Sequence, residues 1–246
     1  MDRFRAQLAY DGTNFHGSQR QPELRTVQSE VERALARLAG EERRVLFAGR
    51  TDAGVHAAGQ VIAFDLEWNH GTEELQRAFN ALLPADISTR EVKQTRDDFH
   101  PRYDAQSRRY RYQIRNSPHR DPLQDRYCWQ VWPELSLPRM IQAAEDLEGV
   151  HDFRAFGSPH RPEGSTVRRM ESTRWDREQE LITFDLVGNA FLYHMVRHIV
   201  ILLVRIGKGQ EGVQAAAQYL QSPEGDPVQG LAPAKGLILQ EVIYQK

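Results

Sequence analysis

Between Phe4 and Val92 the hydrophobic pattern changes period in a fixed order, and that order restricts the fold sharply. Phe4 to Tyr10 alternates as a strand and runs into Asp11-Gly12-Thr13-Asn14, a strong turn signal. Thr26 is placed as a helix N-cap, and Val27, Val31, Ala34, Leu35 and Leu38 recur at helical spacing until Gly40 ends the run. Arg44 to Ala48 and Gln60 to Leu66 read as strands joined by a glycine-flanked turn, the second with one partly buried face. Thr72 opens a second helix, with Leu75, Ala78, Phe79 and Leu82 on its apolar face and Pro84 closing it. Ile87 to Val92 is a further strand. The order is β-α-β-β-α-β, the split ferredoxin-like arrangement.

The remainder repeats that order with insertions. Ser107 to Arg115 is a strand with Tyr110, Tyr112 and Ile114 on one face and arginines mostly on the other. An irregular insert with Trp129 and Trp132 lies between Asn116 and Pro138, before a helix over Leu137 to Leu147. After a loop spanning 157–162, Val167 to Trp175 and Leu181 to Val187 form a hairpin. Phe191 to Ile206 is the most apolar helix, Val213 to Leu220 a shorter one, and Leu237 to Tyr244 the last strand. The halves share no obvious sequence identity, so the repeat is one of topology. The expected fold is α+β. Two ferredoxin-like halves, 1–98 and 99–246, join into one largely antiparallel sheet with helices on one face and an active-site cleft between the halves.

Composition narrows the function. With 40% hydrophobic and 27% charged residues in 246, the chain can bury a core and reads as soluble. A net charge of −2 gives no global pull toward nucleic acid, so any basic surface is local. Arginines outnumber lysines 28 to 4, which suits bidentate phosphate contacts and base stacking, and equally a GC-rich genome. The single cysteine, Cys128, excludes an internal disulfide; with no signal-peptide pattern, the expected compartment is the cytoplasm. The apolar run at 199–204 is too short to span a bilayer.

The chemistry-bearing candidate is the turn Gly49-Arg50-Thr51-Asp52-Ala53-Gly54-Val55-His56-Ala57. It sets one carboxylate, Asp52, between two glycines, with Arg50 near enough to hold it ionised. On spacing alone, a turn aspartate bonded to its own backbone is the commoner role. Asp52 and His56 also imitate two metal ligands, but no third accompanies them, and no metal is expected. Further on, six arginines and one acidic residue, Asp104, lie between Phe99 and Arg120, interleaved with Tyr103, Tyr110 and Tyr112. That pattern suits RNA phosphates and bases, with Arg102, Arg109 and Arg111 the leading contacts, and it also describes an exposed strand face. Arg154, His160, Arg161, Arg168 and Arg169 could form a second basic edge.

The turn resembles the signature of the bacterial tRNA pseudouridine synthase A (TruA) family. The resemblance continues through Tyr10-Asp11-Gly12-Thr13-Asn14-Phe15-His16-Gly17, Phe99-His100-Pro101-Arg102, Arg109-Tyr110-Arg111-Tyr112, Phe191-Leu192-Tyr193-His194-Met195-Val196-Arg197 and Ala232-Pro233-Ala234-Lys235-Gly236-Leu237. These six motifs, in order, cover essentially the whole chain. The sequence departs from the family pattern at Ser18, where tryptophan is usual, at Pro101, at Ile201 and over 226–231.

The resemblance implies a homodimer that converts uridine to pseudouridine in the anticodon stem-loop of tRNA, at positions 38–40, with no cofactor and no metal. It assigns Asp52 as the catalytic aspartate, Tyr110 as the tyrosine stacking on the target base, and Arg197 as the basic partner of the aspartate. Arg50 would handle the flipped nucleotide, and Leu237 would line the pocket. Chemistry makes these roles reasonable. The N1–C1′ bond breaks, the base turns, and C5 joins C1′; nothing is oxidised, reduced or added. An ionised carboxylate can attack carbon or stabilise a cationic sugar. Extruding the uridine costs a few kcal/mol, and an aromatic platform returns about 1–3 kcal/mol by stacking. A non-catalytic RNA-binding protein on the same scaffold is the main rival, but pure binding needs no carboxylate facing a phosphodiester chain. A glycosidase or metal hydrolase would need a second positioned carboxylate or a ligand triad.

Overall fold

The computed structural model describes residues 1–159, 161 and 163–245; His160 of the expected basic edge and Pro162 of its loop lie outside the described residues. In chain order come β1 (Asp2–Tyr10), α1 (Val27–Ala39), β2 (Leu46–Phe47), β3 (His56–Leu66), α2 (Thr72–Leu82) and β4 (Ile87–Gln94). Then follow β5 (Ala105–Asn116), β6 (Trp129–Val131), α3 (Leu137–Glu145), β7 (Gly149–Asp152), β8 (Val167–Glu178) and β9 (Leu181–Gly188). The last are α4 (Met195–Gly207), α5 (Ala215–Gln221) and β10 (Leu237–Tyr244). The fold is mixed α+β, mostly antiparallel in its sheet pairings.

The chain forms two compact units: Met1–Gln106 with the C-terminal segment from Ile238, and Ser107–Leu237. The sequence division at 98 assigns the last strand to the second half. In the structure that strand packs with the first unit, because β10 runs parallel to β3 with Ile238 opposite His56 and Leu239 opposite Ala57.

In the first unit β1 lies between β4 and β3, antiparallel to both. With β1 on one edge of β3, the other edge is shared. β2 pairs near its C-terminal half at Ala63 and Ile62, and β10 near its start. β3 is longer than its hydrophobic alternation indicates, and Val61, Ile62, Ala63 and Phe64 are all buried. The expected half-exposed strand is therefore central and covered on both faces. α1 begins at its Thr26 cap, which accepts from Ser29 N (3.2 Å) while Ser29 Oγ accepts from Thr26 N (3.1 Å). Phe79 of α2 meets Phe64 edge-on at 5.6 Å, and Phe64 stacks on Phe4 at 5.9 Å.

In the second unit β9 lies between β5 and β8, and β7 extends the far edge along β8. β6, a strand inside the insert read as irregular, runs parallel to the end of β5. Alternation holds on β5 and β9: Tyr110, Tyr112, Ile114, Ile182, Phe184 and Leu186 are buried. Their opposite neighbours, Arg109, Arg111, Gln113, Thr183 and Asp185, line an open polar face with Arg174 and Asp176 of β8. α4 begins at Met195, not Phe191, because His194 sits in the left-handed region at φ 64°, which a right-handed helix cannot pass through. Among the described residues no helix is long and apolar enough to cross a membrane.

Candidate active site

The Asp52 turn is anchored at nearly every residue except those facing outward. At its start Ala48 N donates to Val61 O (2.9 Å). The Gln60 carboxamide then holds Gly49 from both sides, Nε2 donating to Gly49 O (2.9 Å) and Oε1 accepting from Gly49 N (3.3 Å). Thr51 is buried; its N–H donates to Ser18 Oγ (2.8 Å), its carbonyl accepts from Ser18 N (3.0 Å), and its hydroxyl pairs with Tyr10 OH (2.8 Å). Val55 N closes the turn on Asp52 O (3.1 Å), with Gly54 supplying the required φ of 78°. Gly12 packs so closely beneath Val55 that a β-carbon there would lie 2.0 Å from the Val55 carbonyl oxygen.

That scaffold leaves Arg50 and Ala53 exposed and Asp52 half-buried on the same turn. Burial pushes the Tyr10 hydroxyl up to about 12, opposed by its bonds to Thr51 and Gln60, so it stays a neutral hydrogen-bonding group. His56, weighed as a metal ligand, instead accepts at Nδ1 from Gly12 N (3.0 Å), with Asp11 Oδ1 3.2 Å away.

In the second unit Tyr110 is buried, its ring edge-on to Phe191 at 5.0 Å. Arg197 emerges half-buried from the apolar face of α4, and its Nε donates to Ala232 O (2.7 Å). Tyr112 OH donates to the next carbonyl, Pro233 O (2.7 Å). The two side chains thereby hold the Ala232-Pro233-Ala234-Lys235 loop, which ends at buried Leu237. Burial pushes the Tyr112 hydroxyl well up, and the nearby Arg197 charge only partly offsets it. Of the expected RNA contacts, Arg102 is exposed and Arg109 half-buried, both with partners of their own. Arg111 is committed to Asp185 by two bonds of 3.0 and 2.8 Å.

The first unit thus brings Arg50 and Asp52 together on one fixed turn. The second holds Tyr110, Arg197 and Leu237 in or beside its core. Sequence reading missed the supporting groups Ser18, Gln60 and Tyr112. Gln60 carried a usable signal, since it is an uncharged polar residue inside a strand that is otherwise almost wholly apolar.

Residues 6–104 and 143–245 match the tRNA pseudouridine synthase family. A tRNA pseudouridine synthase A from Moorella thermoacetica is 42% identical over 239 residues, covering 96% of this chain and 97% of its own. One from Brevibacillus brevis is 41% identical over 244 residues, covering 99% and 100%. One from Limosilactobacillus fermentum is 40% identical over 249 residues, covering 99% and 96%. Such similarity defines an isomerase acting on tRNA uridine. The chain belongs to the tRNA pseudouridine synthase family.

Proposed function

We propose that this enzyme acts on uridines of the tRNA anticodon stem-loop, in the cytoplasm and as a homodimer, with Asp52 as nucleophile on a flipped-out uridine. The presentation of Asp52 carries the reading: a half-buried carboxylate stands on a turn whose neighbouring backbone groups are bonded, so little reorganisation accompanies attack. Tyr110 supplies a face for the base, Arg197 a counter-charge, Arg50 a contact to the extruded nucleotide, and Leu237 an apolar wall. Arg102, Arg109 and Arg111 contact phosphates. The electrons of the N1–C1′ bond leave with the uracil as its anion, while the Asp52 carboxylate adds to C1′ or ion-pairs with the cationic sugar; C5 of the turned base then bonds C1′ and sets the carboxylate free, and the C5 proton departs last.

The test is release of label from tRNA tritiated at uridine C5. Wild type is expected to release it and Asp52→Asn to release none; equal release overturns the role of Asp52. Transcripts lacking anticodon-arm uridines are expected to release no label, and undiminished release from them overturns the site assignment. Light scattering that finds only the 28.4 kDa species at assay concentration overturns the dimer.

A further inference from the structure

We infer that Ser18 is a positioning residue for Asp52, an inference that rests on the reading of Asp52 as nucleophile. Ser18 is 1% exposed and bonds the two consecutive peptide planes that lead into Asp52. Its hydroxyl oxygen accepts from Thr51 N at 2.8 Å, fixing the Arg50–Thr51 plane. Its own N–H donates to Thr51 O at 3.0 Å, fixing the Thr51–Asp52 plane. The peptide planes are rigid, so these two bonds leave little freedom in the backbone dihedrals that aim the Asp52 side chain.

Ser18 is itself held. Its carbonyl accepts from Gln28 N (2.9 Å), and the carbonyl of Gly17 accepts from Val27 N (3.3 Å), both at the first turn of α1. The start of α1, an element fixed by its capping box and by buried Val27 and Val31, is thus tied to the reactive turn through one residue. Tyr10 secures the Thr51 side chain, but among the described residues only the Ser18 hydroxyl bonds the Thr51 N–H. Replacing it leaves a buried donor unsatisfied and the Arg50–Thr51 plane free to turn, which displaces the carboxylate while removing no side chain assigned to meet RNA.

The experiment measures single-turnover rate at saturating tRNA beside the tRNA dissociation constant, for Ser18→Ala, Ser18→Cys and Asp52→Asn, all below their melting temperatures. Ser18→Ala is expected to turn over about tenfold more slowly with binding within twofold of wild type. Ser18→Cys keeps the side-chain volume with a weaker acceptor and is expected to fall between; it stands alone if the alanine variant does not fold. Wild-type rate in either variant, or rate loss matched by lost binding, overturns the inference while inactive Asp52→Asn leaves the reading of Asp52 intact. Activity in Asp52→Asn overturns that reading and the inference with it.

Discussion

The Gln60 side chain substitutes for a strand partner at Gly49, bonding its N–H and its carbonyl at once (3.3 and 2.9 Å). Gln60 is fully buried, so its carboxamide is held in place for both bonds. Gln60→Leu is expected to lower stability by about 2 kcal/mol and Tm by about 5 °C. Its single-turnover rate should fall further than its tRNA affinity, since Gly49 begins the turn that carries Asp52. Calorimetry and rate measurement on one preparation check both, and an unchanged melting temperature would refute the two-sided bond.

Gly12 and Gly49 flank the same turn and make opposite predictions. A β-carbon on Gly12 would lie 2.0 Å from the Val55 carbonyl oxygen, a backbone atom in a closed turn, whereas one on Gly49 meets nothing within 4 Å. Gly12→Ala is expected to cost more than about 2 kcal/mol and Gly49→Ala less than about 1 kcal/mol. Urea unfolding midpoints measure the difference. Equal midpoints would show that the first turn after β1 can shift away from the Asp52 loop.

These contacts also mark where sequence reading stops. Elements with long, strongly periodic patterns were legible: α1 from the Thr26 cap and its apolar spacing, and the β8–β9 hairpin from two alternating runs. β6 and β7 were not, because strands of 3 and 4 residues hold too few alternations to register. The start of α4 was misplaced because nothing in Phe191-Leu192-Tyr193 announces a left-handed residue at His194. For the site, the sequence singled out Asp52 and Arg50 from the turn glycines. The groups that hold the turn come from residues 18 and 60, and such side chain-to-backbone bonds leave no periodic trace. Ser18 stood out only as a departure from a family pattern, with no indication that its hydroxyl reaches Thr51.

Arg102 of the first unit and Arg111 of the second differ in their surroundings. Arg111 is held by both oxygens of Asp185, while Arg102 is exposed. If these arginines meet phosphates, Arg102→Ala is expected to weaken tRNA binding a few-fold and reduce the slope of log affinity against log salt by about one. Arg111→Ala should change the slope by less, because its charge is already neutralised by Asp185 and so displaces fewer phosphate counterions. Filter binding between 50 and 200 mM salt, roughly the range over which such slopes are resolved, checks this. Equal slopes for wild type and Arg102→Ala would remove Arg102 from the RNA contacts.

His198 on α4 gives the fold a pH dependence whose sign follows from its surroundings. Burial is the main cause lowering its proton affinity, with the charges of His194 and Arg197 adding to it; the Gly230 and Val228 backbone opposes it. The folded state therefore binds the His198 proton more weakly than the unfolded chain, where histidine titrates near about 6.5. Above that pH neither state carries the proton and the group is neutral in the balance. As pH falls through and below it, the unfolded chain gains the proton first and stability is lost. His198→Gln removes that linkage, so its unfolding midpoint is expected to fall less than that of wild type between pH 7.5 and 5.5. Parallel curves for the two proteins would show that His198 takes up its proton as readily folded as unfolded, and that burial on α4 does not govern its titration.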